Sequence, residues 1–478
     1  MTYPRVASFK TADALRQHLR ACGVTLDLEH TVEASPASPL AQPFEMGSVR
    51  VGNRFAVLPM EGWDGTPDGE PSDLTRRRWQ HFGISGAKLI WGGEAVAVRQ
   101  DGRANPNQLL LTPATQSSIA RLREALVAAH RERFGSNADR DLFISLQLTH
   151  SGRYARPRGK TQSEPLAAYA HPFLDRRFAG GVRIATDDEL DRLVDTFVDA
   201  ARLAWGAGFT AIDFKHCHGY LGHELLSGCE RRGRYGGCFT NRTRFVRSVI
   251  EAIRAAVPGL EIAVRLSAFD TVPFAKDAAG MGVAETDAAS YRWAFGLVQT
   301  DLAAALADAR ALLTLLEGLG VRWICVTGGS PYYNPHVQRP ALFPPSDGYT
   351  PPEDPVVGVA RHIEATARLK ASFPSLAFVG SAYSYLQDWL PHVAQFTVRH
   401  GMTDFVGLGR MVLAYPELPS DVLAGRPLQR KRICRTFSDC TTGPRLGLVS
   451  GCYPLDPLYL NHPDAVRLRT FKKESAAE

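Results

Sequence analysis

Cysteine is scarce in this chain, eight residues in 478. That is too few for a disulfide framework, so a reducing compartment fits and the cytoplasm is the expected location. Long apolar runs are missing too. No uncharged stretch reaches the ~20 residues a membrane span needs, and the N-terminus (MTYPRVASFKTADALRQHLRACG) lacks the apolar core of a secretory signal. Charge of one sign is equally lacking: 55 Lys and Arg stand against 49 Asp and Glu, a net of +6, with no basic run longer than RRR at 76–78 or RKR at 430–432. A nucleic-acid surface is therefore not expected. No G-x-G-x-x-G follows an early strand, which argues against an open dinucleotide-binding sheet. With 45% hydrophobic and 22% charged residues, disordered and fibrous classes are excluded as well. The expected partner is a small molecule, with self-association left open.

What is present is a rhythm. Eight short apolar, β-branched runs occur at 55–58 (FAVL), 88–98 (KLIWGGEAVAV), 142–148, 209–214, 261–267, 321–327, 376–381 and 404–409. Between them lie segments with the 3.6-residue period of amphipathic helices, such as SSIARLREALVAAHRERF from Ser117 and DELDRLVDTFVDAARLAWGAG from Asp188. Strands apolar on both faces that alternate with helices pair in parallel, and eight such units close into a (β/α)8 barrel. The connections after the third, fifth and sixth strands are long, and a barrel keeps its site on such loops at the C-terminal face. The strand ends are thus the positions that matter.

The first strand ends in Pro59, Met60, Glu61, and the second carries Gly92, Gly93, Glu94, Ala95; small residues and a Pro let a flat ligand lie against backbone. The third ends Gln147, Leu148, Thr149, His150, placing an amide at the mouth. Arg265 stands inside the otherwise apolar fifth strand and needs an anionic or strongly accepting partner, either a buried carboxylate or the edge of a cofactor that becomes anionic on reduction. Gly380 follows the seventh strand, and Gly409 with Arg410 the eighth. Bare N–H groups at those two loops, with a cation beside them, are the usual phosphate site of this architecture. The fourth strand runs into the densest polar cluster, with Lys215, His218 and Tyr220: a cation, an imidazole and a phenol suited to binding a carbonyl and donating a proton.

These motifs, spread in order over 50–430, resemble those of the Old Yellow Enzyme family of FMN-dependent oxidoreductases, in the branch similar to 2,4-dienoyl-CoA reductase and trimethylamine dehydrogenase. NRFAVLPM, IWGGEAVAV, SLQLTHSGR, HGYL followed by RYGGCFTNRTRF, AVRLS and FVGLGRMVLAYPELP carry the resemblance. It implies FMN contacts from Pro59, Glu61, Ala95, Gln147 and Arg265 at the ring and from Gly380, Gly409 and Arg410 at the phosphate. It further implies Tyr220 as proton donor and Lys215 with His218 as the pair that binds the substrate's carbonyl. The expected activity is NAD(P)H-dependent reduction of an activated alkene; the alternatives are oxidation of a small amine or alcohol by a flavin-dependent dehydrogenase or demethylase, and a flavin-binding barrel without turnover.

Three departures shape the expectation. Lys215 replaces a family His, which favours an acidic or strongly polarised carbonyl substrate. Glu61 stands where Thr or Cys usually meets the flavin, and a carboxylate there makes the cofactor harder to reduce. The branch's C-x2-C-x3-C-x11-C is degenerate: the chain has Cys434, Cys440 and Cys452, with Phe437 at the second ligand position and one residue missing. No iron-sulfur cluster and no other metal is therefore expected, the thiols being structural, with zinc as the alternative. The expected organisation is an N-terminal extension and linker over 1–45, the barrel over 46–430 and a Cys-containing tail over 431–478. Since the chain ends at Glu478, the flavodoxin-like and dinucleotide-binding domains of longer relatives are expected to be absent.

Overall fold

The computed structural model describes residues 3–159 and 162–474; residues 1–2 of the extension and 475–478 of the tail lie outside it. Eight parallel strands close into a barrel: β1 (Phe55–Val57), β2 (Leu89–Ile90), β3 (Phe143–Thr149), β4 (Ala211–His216), β5 (Glu261–Phe269), β6 (Trp323–Gly328), β7 (Ala377–Gly380) and β8 (Phe405–Leu408). Each pairs with the next in sequence, and β8 pairs with β1 through Val406 beside Phe55 to complete the ring. The strands are buried on both faces because helices cover the outside, which explains their near-continuous hydrophobicity. The (β/α)8 expectation holds.

The main outer helices are α1 (Asp73–Ile84), α2 (Gln116–Phe134), α3 (Asp187–Gly206), α4 (Arg244–Ala256), α5 (Ala307–Gly318), α6 (Pro355–Ser372), α7 (Leu390–Arg399) and the short α8 (Leu418–Leu423). Their starts follow capping chemistry. Thr186 and Glu189 form a reciprocal capping box at α3, and Ser72 and Asp354 accept from the first backbone N–H groups of α1 and α6.

The lower end of the barrel is filled with aromatics. Trp323 stacks on Phe143 at 4.7 Å, and Phe44, from the hairpin 44–51 that precedes β1, packs edge-on against Phe405 at 5.1 Å. The main cavity lies at the opposite end, where the strands end. The extension ahead of the hairpin is a strap. Its helix Ala12–Ala21 buries Leu15 and Leu19, and the segment after it exchanges backbone and side-chain hydrogen bonds with α7 through Glu29 and His392 and through Thr31 and Gln395.

The second strand differs from its sequence reading. It is not continuous over 88–98 but breaks after Ile90 and resumes as Ala95–Ala97, paired with β3. The cause lies in Gly92 and Gly93, whose φ values of +80° and +51° reverse the chain and turn the segment across the barrel mouth. At Gly93 a Cβ would sit 2.7 Å from the Trp79 ring of α1. Gly93→Ala combines left-handed strain with that clash and is expected to cost about 2–4 kcal/mol, read as a lowered urea midpoint at unchanged slope.

Candidate active site

The open end of the barrel holds a cavity of about 310 Å³. Pro59, Glu61, Ala95 and Gln147 line it from the first three strands and their loops. Lys215, His218 and Tyr220 reach it from β4 and Arg265 from β5, with Gly409 and Arg410 after β8. Strand register places these groups: Ala95 pairs with Gln147, Gln147 with Asp213, and Lys215 with Arg265. Gly380 is the exception. It ends β7 behind the lining, and Ser381, Ala382 and Ser384 face the cavity in its place.

On one side Tyr220 is the hub. Its hydroxyl donates to Glu61 Oε2 at 2.7 Å and lies 3.0 Å from the hydroxyl of Tyr332, while Lys215 Nζ sits 3.7 Å above its ring and 3.8 Å from Glu61. Burial, then the nearby Glu61 carboxylate, pushes the Tyr220 phenol well above its ordinary range, so it holds its proton. Burial also raises the Glu61 carboxyl, against the pull of Lys215, and lowers the Lys215 ammonium, against that of Glu61. His218 has a left-handed backbone (φ +67°), with its carbonyl accepting from Ser330 Oγ and its N–H donating to Ser267 Oγ. Burial and the cations Arg265 and Lys215 hold its imidazole neutral, and the Gln338 amide lies 3.1 Å from its Nε2.

On the other side the cavity is cationic. Arg265 is buried, its Nε has no hydrogen-bond partner, and among the described residues no carboxylate forms an ion pair with it. The buried carboxyl of Asp213 accepts from Gln147 and feels the Arg265 charge. Arg410 Nη1 and Arg339 Nη2 are likewise buried without partners, and the two guanidiniums face the same cavity. Burial, followed by the like charge of Arg410, depresses Arg339. Neighbouring cations with unmade donors form a receptor for an anion. At Gly409 nothing lies within 4 Å of where a Cβ would be, so backbone there is open to a ligand. A flat, anionic, phosphate-bearing cofactor such as FMN fits these donors.

Sequence reasoning missed several members of this site. Tyr332 and Arg339 belong to the long loop after β6, whose length alone marked it. Glu94 and Asp64 grip the buried Arg78 guanidinium from both sides, and Glu94 Oε1 also accepts from Gly62 N at 2.5 Å, which fixes the loop bearing Glu61. The tail also enters the site. Cys440, Thr441, Arg445, Ser450 and Tyr459 line the cavity, held by a bidentate pair from Arg77 to Asp456 (2.7 and 2.9 Å) and by Trp63 N donating to Ser450 Oγ at 2.8 Å. Cys434 and Cys452 are buried, and burial raises both thiols.

A parallel barrel whose mouth gathers a cationic cradle and a proton-holding tyrosine defines a cofactor-dependent barrel enzyme. Residues 39–302, more than half of the chain, match the model of the NADH:flavin oxidoreductase / NADH oxidase family, and the chain belongs to that family. It is 27% identical over 249 residues to 12-oxophytodienoate reductase 1 of Oryza sativa subsp. japonica, covering 50% of this chain and 61% of that one. It is 25% identical over 431 residues to a metal reductase of Desulforamulus reducens, covering 89% of this chain and 52% of that protein. Thus the chain spans about half to three fifths of these relatives' lengths. Among solved structures, 2-naphthoyl-CoA reductase superposes with a TM-score of 0.63 at 17% identity (88% of this chain, 57% of that one), and the old yellow enzyme homologue of Zymomonas mobilis with 0.56 at 20% (82% and 94%). These likenesses concern the fold.

Asp213 gives the site a pH signature. Burial raises its carboxyl to about 6 in the folded protein, opposed by Gln147 and Arg265. A carboxyl raised above its unfolded value contributes stability that is complete below about pH 4 and lost as pH rises through about 6. Asp213→Asn lacks this loss. The unfolding free energy of the variant is expected to gain roughly 3 kcal/mol on the parent protein between pH 4 and 7, measured by urea denaturation.

Proposed function

We propose that the protein is an FMN-dependent oxidoreductase of the ene-reductase type, taking reducing equivalents from NAD(P)H and passing them to an activated alkene. The observation that carries this reading is that one cavity gathers Arg265, Arg339 and Arg410, each with a buried nitrogen lacking a partner, and a Tyr220 hydroxyl held by Glu61 and Tyr332 beneath Lys215. Arg410 and Arg339, with the open backbone at Gly409, hold the phosphate. Arg265, Gln147, Pro59 and Ala95 would contact the flavin ring, and Ser381, which lines the cavity where Gly380 does not, would stand near the phosphate. Bound there, FMN supplies hydride transfer between nicotinamide and substrate.

The chain's own groups manage the substrate and the proton. His218 and Lys215 orient and polarise the substrate carbonyl, and the Tyr220 hydroxyl gives its proton to the α-carbon. Lys215 over the ring then stabilises the phenolate, which regains a proton from solvent through Tyr332 at 3.0 Å, Tyr332 passing on one proton and taking up another. Because Glu61 shares the Lys215 charge, the favoured substrate is a polarised carbonyl compound more than a carboxylic acid. The Glu61 carboxylate beside Tyr220 supports a second reading, oxidation of a small cationic amine. The proposal includes no iron-sulfur cluster, since Phe437 occupies a ligand position of the tail motif.

Protein expressed with excess riboflavin is expected to release about one FMN per chain on heating, with no stoichiometric iron or sulfide; release of FAD or of no flavin overturns the reading. Anaerobic spectra decide direction: bleaching by NADH or NADPH and recovery with an enone support reduction, whereas bleaching by an amine alone supports the second reading. Tyr220→Phe is expected to leave bleaching by NAD(P)H nearly unchanged and to slow reoxidation by an enone ~10²- to 10⁴-fold in stopped flow.

A further inference from the structure

Away from the cavity, where the N-terminal strap meets the barrel, three side chains of different chemistry converge. His18 and Cys22 lie four residues apart, so they share one face at the C-terminal end of the helix Ala12–Ala21. Asp354, the N-cap of α6, faces them. His18 Nε2 is 2.9 Å from Asp354 Oδ2, Cys22 Sγ is 3.6 Å from His18 Nε2, and all three ligand atoms lie within 4.8 Å of one another. The other carboxylate oxygen, Oδ1, accepts from Val356 N at 3.0 Å, and the His18 ring stacks on Phe9 at 4.9 Å. Two of the three ligands are thereby oriented.

The geometry points to a divalent-cation site of the zinc class, formed by His18, Cys22 and Asp354, that clamps the N-terminal strap to the start of α6. Tetrahedral coordination at ordinary zinc distances separates a nitrogen from a sulfur ligand by roughly 3.5 Å, close to the 3.6 Å found, and from an oxygen by roughly 3.3 Å, so the His18–Asp354 pair at 2.9 Å opens by a few tenths of an ångström to admit the ion. One imidazole, one thiolate and one carboxylate select a borderline metal over calcium or magnesium, which take oxygen ligands. A thiolate and a carboxylate also neutralise a dication, which suits a half-buried place. His18 and Cys22 are partly exposed, which leaves a coordination position for water. The site's consequence is local: Asp354 ends the long loop that carries Tyr332 and Arg339 into the cavity, so a bound metal pins the far end of that loop.

The test uses the whole 478-residue chain as purified, stripped with a chelator and titrated with Co²⁺ and then Zn²⁺. Co²⁺ is expected to bind at about one equivalent with d–d bands to the red of the flavin absorption, and Zn²⁺ to displace it and raise the Tm. Cys22→Ser should abolish the thiolate character of the bands, and His18→Ala should weaken binding by more than about tenfold. Asp354→Asn keeps the cap and removes the charge, so it should weaken binding in a protein that still folds. Cys440→Ser should leave the bands unchanged. Absence of Co²⁺ binding, or bands that persist in Cys22→Ser or vanish in Cys440→Ser, overturns the proposal; neither result bears on flavin content, so the oxidoreductase reading is tested separately.

Discussion

The arrangement of this site depends on one buried cation. Arg78 of α1 lies between Asp64 and Glu94, all three almost completely excluded from water. Removing charges from water costs several kcal/mol per ion, offset here by two carboxylates and further hydrogen bonds that satisfy the cluster apart from the buried Arg78 Nε. Here the second Glu94 oxygen takes the Gly62 N–H, and Asp64 takes the Thr75 hydroxyl. The loop after β1, the crossing segment of β2 and helix α1 are thereby tied at a single point. Glu61, Ala95 and the Arg77 that anchors the tail all branch from that point.

From there the cavity acquires its polarity. Its cationic half carries three guanidiniums left without sufficient partners, a state that costs stability unless an anion completes it. Its other half is internally neutralised, Lys215 against Glu61, with Tyr220 between them. Such a division orients a ligand that is anionic at one end and reacts at the other. The tail contributes by covering this chemistry, since Tyr459, Arg445 and Cys440 stand at the rim and exclude water from part of it.

The extension and the tail share a logic. Each is fastened by apolar burial and long-range polar contacts together: the strap buries Leu15, Leu19 and Leu28 in the main core and bonds α7 through Glu29 and Thr31, and the tail packs a small cluster of its own around Tyr453, Tyr459 and Leu468 and ties Asp456 to Arg77. Both bear on segments that line the cavity, one through Asp354 and the loop after β6, the other directly.

By itself the sequence determined the barrel, because apolar runs alternating with 3.6-period segments admit few other packings, and it determined the strand-end positions at which Gln147, Lys215, Tyr220, Arg265 and Arg410 meet. Those are local signals, carried by residue type and position within one element. Only the tertiary structure decided which groups are partners. Glu61 meeting Tyr220 joins positions 159 apart, Arg339 meeting the Arg410 cavity joins two different loops, and Cys22 meeting Asp354 joins the strap to the barrel. The break at Gly92 and Gly93 and the replacement of Gly380 by Ser381 at the lining belong with them. No periodicity encodes such encounters, because they arise from ring closure, which brings distant segments to the same mouth and lets desolvation settle which charges pair.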